Sequence, residues 1–148
     1  MNAQDLYQQL ILDHSRQPHH FGALTDAPVQ VDGHNAMCGD QIRLYLKVAD
    51  GHIRDLSFTG TGCAICMASA SLMTDTVLGK SPSEAQTLFD DVHALLTVGN
   101  DAPHLGKVAA LSGVRLFPAR VKCASLAWNT LREALKQAAT LGQEAHTP

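Results

Sequence analysis

Gln41-Ile42-Arg43-Leu44-Tyr45-Leu46-Lys47-Val48 alternates apolar and polar side chains without a break. Ile42, Leu44, Leu46 and Val48 fall on one face and Arg43, Tyr45 and Lys47 on the other, the period-two pattern of a half-buried strand. Asp50-Gly51 follows as a hairpin signal, because both residue types tolerate the left-handed backbone of a two-residue turn. The return strand runs from His52 to Thr59 with Leu56 and Phe58 in phase, while Ile53 is out of phase and implies a bulge. Upstream, Val29 to Val31 can supply a third strand.

Helical periodicity lies on both sides of this hairpin. Leu6, Leu10, Ile11 and His14 recur at helical spacing over Asp5 to His14, and Pro18 closes that segment. After Thr61 helices dominate. Ala64 to Leu78 is rich in Ala and Met, with Gly79 just past its end. Ser81-Pro82-Ser83-Glu84 is a capping box with proline at the first helical position, opening a helix that carries Ala85, Leu88, Phe89, Val92, Leu95 and Leu96. Gly99 to Pro103 reads as a loop, Leu105 to Leu111 as a short helix, and Cys123 to Ala139 as the last helix. A small antiparallel sheet of about three strands packed with helices, an α+β fold, is the expected architecture. No repeat or linker interrupts the chain, so residues 1–148 read as one domain with a frayed tail at 142–148.

Composition narrows the function. The chain has 148 residues, 45% of them hydrophobic, enough for a core without disulfide staples. Its net charge is −3 with no run of Lys or Arg, and its aromatic content is only 5%. Nucleic-acid binding calls for a clustered basic face or a stacking platform, so no nucleic-acid partner is expected. The charge-free run from Leu56 to Thr74 is broken by Gly60-Thr61-Gly62, which argues against a membrane span. Met1 to His14 has no basic leader. A cytoplasmic protein with reduced thiols follows as the expectation.

The four cysteines then need a chemical explanation. Cys38 is followed by Gly39 and Asp40, a thiolate and a carboxylate two residues apart. Cys63 follows Gly60-Thr61-Gly62 and precedes a helix, and Cys123 is read as opening another, directly after Arg120 and Lys122. Helix N-termini and neighbouring cations favour the thiolate form. If the segment carrying Cys38 packs on those helix ends, three sulfurs and one carboxylate converge. Such a set suits tetrahedral zinc, or an iron–sulfur cluster with one oxygen ligand. Buried packing of small thiols is the simpler alternative, and it does not explain Asp40.

These motifs resemble the U-type iron–sulfur cluster assembly family, which includes NifU N-terminal domains, IscU and SufU. Met37-Cys38-Gly39-Asp40, Gly60-Thr61-Gly62-Cys63 with Met67-Ala68-Ser69-Ala70-Ser71, and Arg120-Val121-Lys122-Cys123 match its three spaced signatures. Leu6-Tyr7 to Ile11-Leu12-Asp13-His14 resembles its opening helix. Lys122, where IscU-type members place a histidine, and the long stretch from Gly99 to Phe117 favour the SufU branch. The resemblance implies a SufE/NifU-like fold and a metal site of Cys38, Asp40, Cys63 and Cys123. It also implies zinc or a transient 2Fe–2S cluster as occupant. Its partners would be a SufS-like cysteine desulfurase and downstream cluster-assembly proteins. Under it the chain is a scaffold or a zinc-dependent sulfurtransferase. Cys38, in a glycine-flanked loop, is the expected sulfur acceptor, and Arg120 is the expected electrostatic support for a zinc-loaded shell of net charge −2.

Cys66 departs from that pattern and creates Cys63-Ala64-Ile65-Cys66. A CxxC motif at a helix start also describes a thiol–disulfide oxidoreductase, the alternative function. A structural zinc module is a third reading, disfavoured by Asp40 because structural sites use closed Cys and His shells. His34 reads as a solvated loop residue, His19-His20 as carrying no built metal site, and Met67 and Met73 as core filler.

Overall fold

The alternating segment forms the middle strand of a three-stranded antiparallel meander, β1 (Val29–Asn35), β2 (Asp40–Ala49) and β3 (His52–Thr61). The computed structural model describes residues 3–36, 39–99 and 103–146. Ile42, Leu44 and Leu46 are buried together with Val29, Val31, Leu56 and Phe58. Asp50 and Gly51 both have positive φ, 54° and 75°, the backbone of the turn whose twist matches paired strands. The pairing of Lys47 with Asp55 and of Val48 with Ile53 skips Arg54. This is the expected bulge, and it delivers Ile53 to the core. Tyr45, on the face assigned to solvent, is buried instead and meets Thr59 through their hydroxyls at 3.4 Å. His34 pairs with Gln41 within β1, so it is an exposed strand residue and not a loop residue.

The helices are α1 (Ala3–Arg16), α2 (Ala64–Val77), α3 (Pro82–Thr97) and α4 (Pro118–His146). α4 packs across β1 and β2, α2 lies beside α4 and β3, and α1 packs on α2. The core fills the space between them with Trp128, Leu131, Leu72, Met73 and Val77 against the sheet. The capping box of α3 forms in full: Ser81 Oγ accepts from Glu84 N, and the Glu84 carboxylate accepts from Ser81 N, each at 3.2 Å. That hydrogen bond from the Ser81 backbone, and then the one to its side chain, lower the Glu84 pKa.

Two helices differ from expectation. Pro103–Leu116 is a 3-10 stretch with a break at Gly106, where φ is 57°, so the short helix from Leu105 is longer, tighter and kinked. α4 begins at Pro118, five residues before Cys123, because proline's fixed φ and missing N–H suit a first helical position. The Phe117 carbonyl receives the N–H groups of Arg120 and Val121 and closes the first turn. α4 extends to His146.

Candidate metal centre

Three of the four expected ligands meet at one end of the molecule. A carboxylate oxygen of Asp40 and the sulfurs of Cys63 and Cys123 all lie within 4.8 Å of one another. Cys38 lies outside the described residues, two positions before Asp40 in the chain.

Each ligand is placed by a different element. Asp40 opens β2 and is 1% exposed; its Oδ1 accepts from Cys63 N at 2.9 Å. Cys63 caps α2, its sulfur accepting from Cys66 N at 3.4 Å. Gly62 makes this approach possible, since a Cβ there would stand 2.9 Å from Asp40 Oδ1 and 3.0 Å from Cys66 Sγ. Cys123, 2% exposed, comes from the second turn of α4. Its expected place at a helix N-terminus is corrected by the earlier start at Pro118. The sulfur instead lies 3.8 Å from Asn35 Nδ2, which donates to it from the end of β1. Ser69 Oγ donates to the Ala124 carbonyl at 2.6 Å and fixes α2 against α4 beside Cys123.

Among the described residues, the second Asp40 oxygen, Oδ2, is fully buried with no hydrogen-bond partner. Buried polar atoms are almost always satisfied. An unsatisfied carboxylate oxygen beside two thiols is what a cation ligand looks like without its cation. Two thiolates and one carboxylate are donors suited to zinc or to iron.

Cys66 is fully buried within α2, as expected of a helix-packing residue. Met73 is fully buried and Met67 packs on the core from its edge. Arg120 is exposed and borders a groove of about 540 Å³ shared with Tyr7, Ile11, Ile65, Val114 and Phe117. Ile65 lies two residues after Cys63 in the chain, while Asp40, Cys63 and Cys123 are not among the residues that line this groove.

Residues 6–140 match the NifU-like N terminal domain. The chain belongs to that family. It is 44% identical over 137 residues to the iron–sulfur cluster assembly scaffold protein IscU of Streptococcus pyogenes serotype M1, covering 90% of this chain and 85% of that relative. It is 42% identical over 135 residues to the zinc-dependent sulfurtransferase SufU of Bacillus subtilis, covering 89% and 90%. The fold superposes on a crystal structure named as a cluster assembly scaffold for the SUF system of Fervidobacterium islandicum AW-1. That match has a TM-score of 0.82 and 31% identity, covering 90% of this chain and 99% of that one. The three-stranded sheet with packed helices is thus the family's fold, as the signature motifs implied.

No sequence motif points to Asn35, and the signature that contains Ser69 does not specify what it touches. His19 and His20 were given no site role, yet both approach Asp75, at 2.6 and 3.4 Å. His14, buried beneath them, has its pKa lowered by burial and then by the charge of His19.

Proposed function

We propose that this protein is a sulfur-handling factor of iron–sulfur cluster assembly. In this reading it holds a metal through Cys38, Asp40, Cys63 and Cys123, accepts sulfane sulfur from a cysteine desulfurase and passes it toward cluster synthesis. The observation that carries the reading is the convergence of Asp40, Cys63 and Cys123 around a buried carboxylate oxygen with no partner among the described residues. Zinc, when bound, supplies a positive charge that holds the thiols as thiolates. With iron and sulfide, the same four side chains hold a 2Fe–2S cluster as cargo.

Cys38 is the sulfur acceptor. Its thiolate attacks the outer sulfur of the desulfurase persulfide, the S–S bond of that persulfide breaks, and the desulfurase cysteine leaves as a thiolate. The product is a persulfide on Cys38, and the transfer needs no external oxidant. Asp40, the one oxygen donor in a sulfur shell, is the ligand most readily exchanged. The groove bordered by Tyr7, Phe117 and Arg120 offers apolar surface for the desulfurase. Arg120 at its rim supplies a positive charge near a shell of net charge −2.

The oxidoreductase alternative gains no support. Cys63 faces Asp40 and Cys123, and Cys66 is fully buried in α2. The deciding experiment is metal and acid-labile sulfide analysis of protein purified without oxygen, on wild type and on Cys38→Ser, Cys63→Ser and Cys123→Ser. Zinc without sulfide indicates sulfur transfer, and stoichiometric iron with sulfide indicates a scaffold. The site requires each substitution to lower the thiolate-bound metal sharply, and full retention in any two variants overturns it.

A further inference from the structure

At the other end of α2 a second set of ligand groups converges. Asp75 and Cys63 are twelve residues apart on this helix, or about 18 Å at 1.5 Å per residue. His14 comes from the last turn of α1, His19 from the segment after Pro18, and Asp75 from the last turn of α2. One potential ligand atom from each lies within 4.8 Å of the others. The His14 and His19 rings are 4.4 Å apart between centroids.

The surroundings hold these side chains in place. Ser71 Oγ lies 2.6 Å from His14 Nδ1 and accepts from His19 N at 2.7 Å, so one buried hydroxyl fixes both the ring and the loop. With the proton on Nδ1, His14 donates to Ser71 and presents Nε2 as a ligand, the arrangement by which metal-binding histidines are usually oriented. His20 Nδ1 lies 3.4 Å from the other Asp75 oxygen and 3.0 Å from Thr74 Oγ1. The segment is itself anchored on β3: Gly22 N donates to Phe58 O, and Phe58 N donates to His20 O. Finally, α1 and α2 both end here, so the negative ends of two helix dipoles face the cluster and favour a cation.

We infer that His14, His19 and Asp75 form a second metal site for a borderline first-row divalent cation such as zinc or cobalt, separate from the cysteine cluster. Two imidazoles and a carboxylate are the nitrogen and oxygen donors this class of ion prefers. Three protein ligands leave a fourth position open to water or an incoming group. His20 orients Asp75 from outside the shell. A bound ion would join α1, the segment from His19 to Gly22 and α2, three pieces otherwise held by Ser71, Thr74 and the contacts with β3.

The test uses the full chain loaded with one equivalent of zinc per chain, which the thiolate site takes first, and freed of excess zinc before titration with cobalt(II). The site predicts one further equivalent of cobalt per chain, with weak visible d–d absorption and no near-ultraviolet thiolate charge-transfer band. His14 is buried, so the exposed partners are substituted instead. Asp75→Asn and His19→Gln should each weaken this equivalent at least tenfold. Both should leave the zinc content of the thiolate site and the circular dichroism spectrum unchanged. The inference is overturned if no cobalt binds beyond the thiolate site, if the additional equivalent shows thiolate charge transfer, or if it survives either substitution as adventitious binding to scattered histidines would.

Discussion

Asp40→Asn should change stability in opposite directions with and without metal. Without metal, wild type buries Asp40 Oδ2 with no partner among the described residues, and an unsatisfied buried polar atom costs about 1–3 kcal/mol. Asparagine keeps an acceptor for Cys63 N, which now bonds Oδ1 at 2.9 Å, and turns an amide with two donors toward the sulfurs. The hydrogen bond to Cys63 weakens from a charged one of about 1.5–3 kcal/mol to a neutral one of about 0.5–1.5 kcal/mol. The balance is a gain of about 1 kcal/mol, or 2–4 °C for a domain of this size. With zinc at a hundredfold over its Kd, wild type gains about 2.7 kcal/mol; a hundredfold loss of affinity reduces that gain to about 0.4 kcal/mol in the variant. The variant should therefore melt above wild type in chelator and below it in zinc. Scanning calorimetry of both proteins under both conditions reads this crossing directly, and any binding to the histidine cluster contributes equally to each protein. A variant less stable than wild type in chelator by more than about 1 kcal/mol, with the same increment from zinc, would refute the reasoning.

Other substitutions probe single steps of the argument. Gly62→Ala places a Cβ 2.9 Å from Asp40 Oδ1 and 3.0 Å from Cys66 Sγ; overpacking of this kind costs about 1–3 kcal/mol. It should lower both the melting temperature and zinc affinity, and wild-type values for both would show that Gly62 is not what lets Asp40 approach Cys63. Ser81→Ala removes the α3 cap and should cost about 1 kcal/mol by urea denaturation. The Glu84 half of that box has its pKa lowered in the fold, so its contribution is fully present above pH 4.5 and is lost as pH falls through the lower folded value. The stability difference between wild type and Glu84→Ala should accordingly shrink on acidification, and a constant difference would contradict the assigned hydrogen bonds.

Local sequence made the strand and cap geometry readable. The alternation from Gln41 to Val48, the out-of-phase Ile53 and the Ser81 capping box each express a rule that acts over a few residues, and each element formed accordingly. Cys63 was legible for the same reason, because a glycine-rich approach followed by a helix leaves it at the cap. Cys123 was misplaced because Pro118 can end a loop or begin a helix, and only packing against β1 and β2 selects the second. Tyr45 is buried although its strand phase points it to solvent. The histidine cluster was invisible because Asp75 lies 56 residues from His19, and periodicity says nothing about contacts at that range. Asn35 reaches Cys123 across 88 residues, with the same consequence.

Sulfur labelling tests the central claim most directly. The protein is incubated with a cysteine desulfurase and cysteine carrying radioactive sulfur, then separated without reductant, for wild type, Cys38→Ser and Cys66→Ser. The account predicts label bound to wild type and to Cys66→Ser, released by thiols as a persulfide is, and absent from Cys38→Ser. Label that persists in Cys38→Ser and disappears in Cys66→Ser would contradict it, placing the reactive chemistry on the Cys63–Cys66 pair.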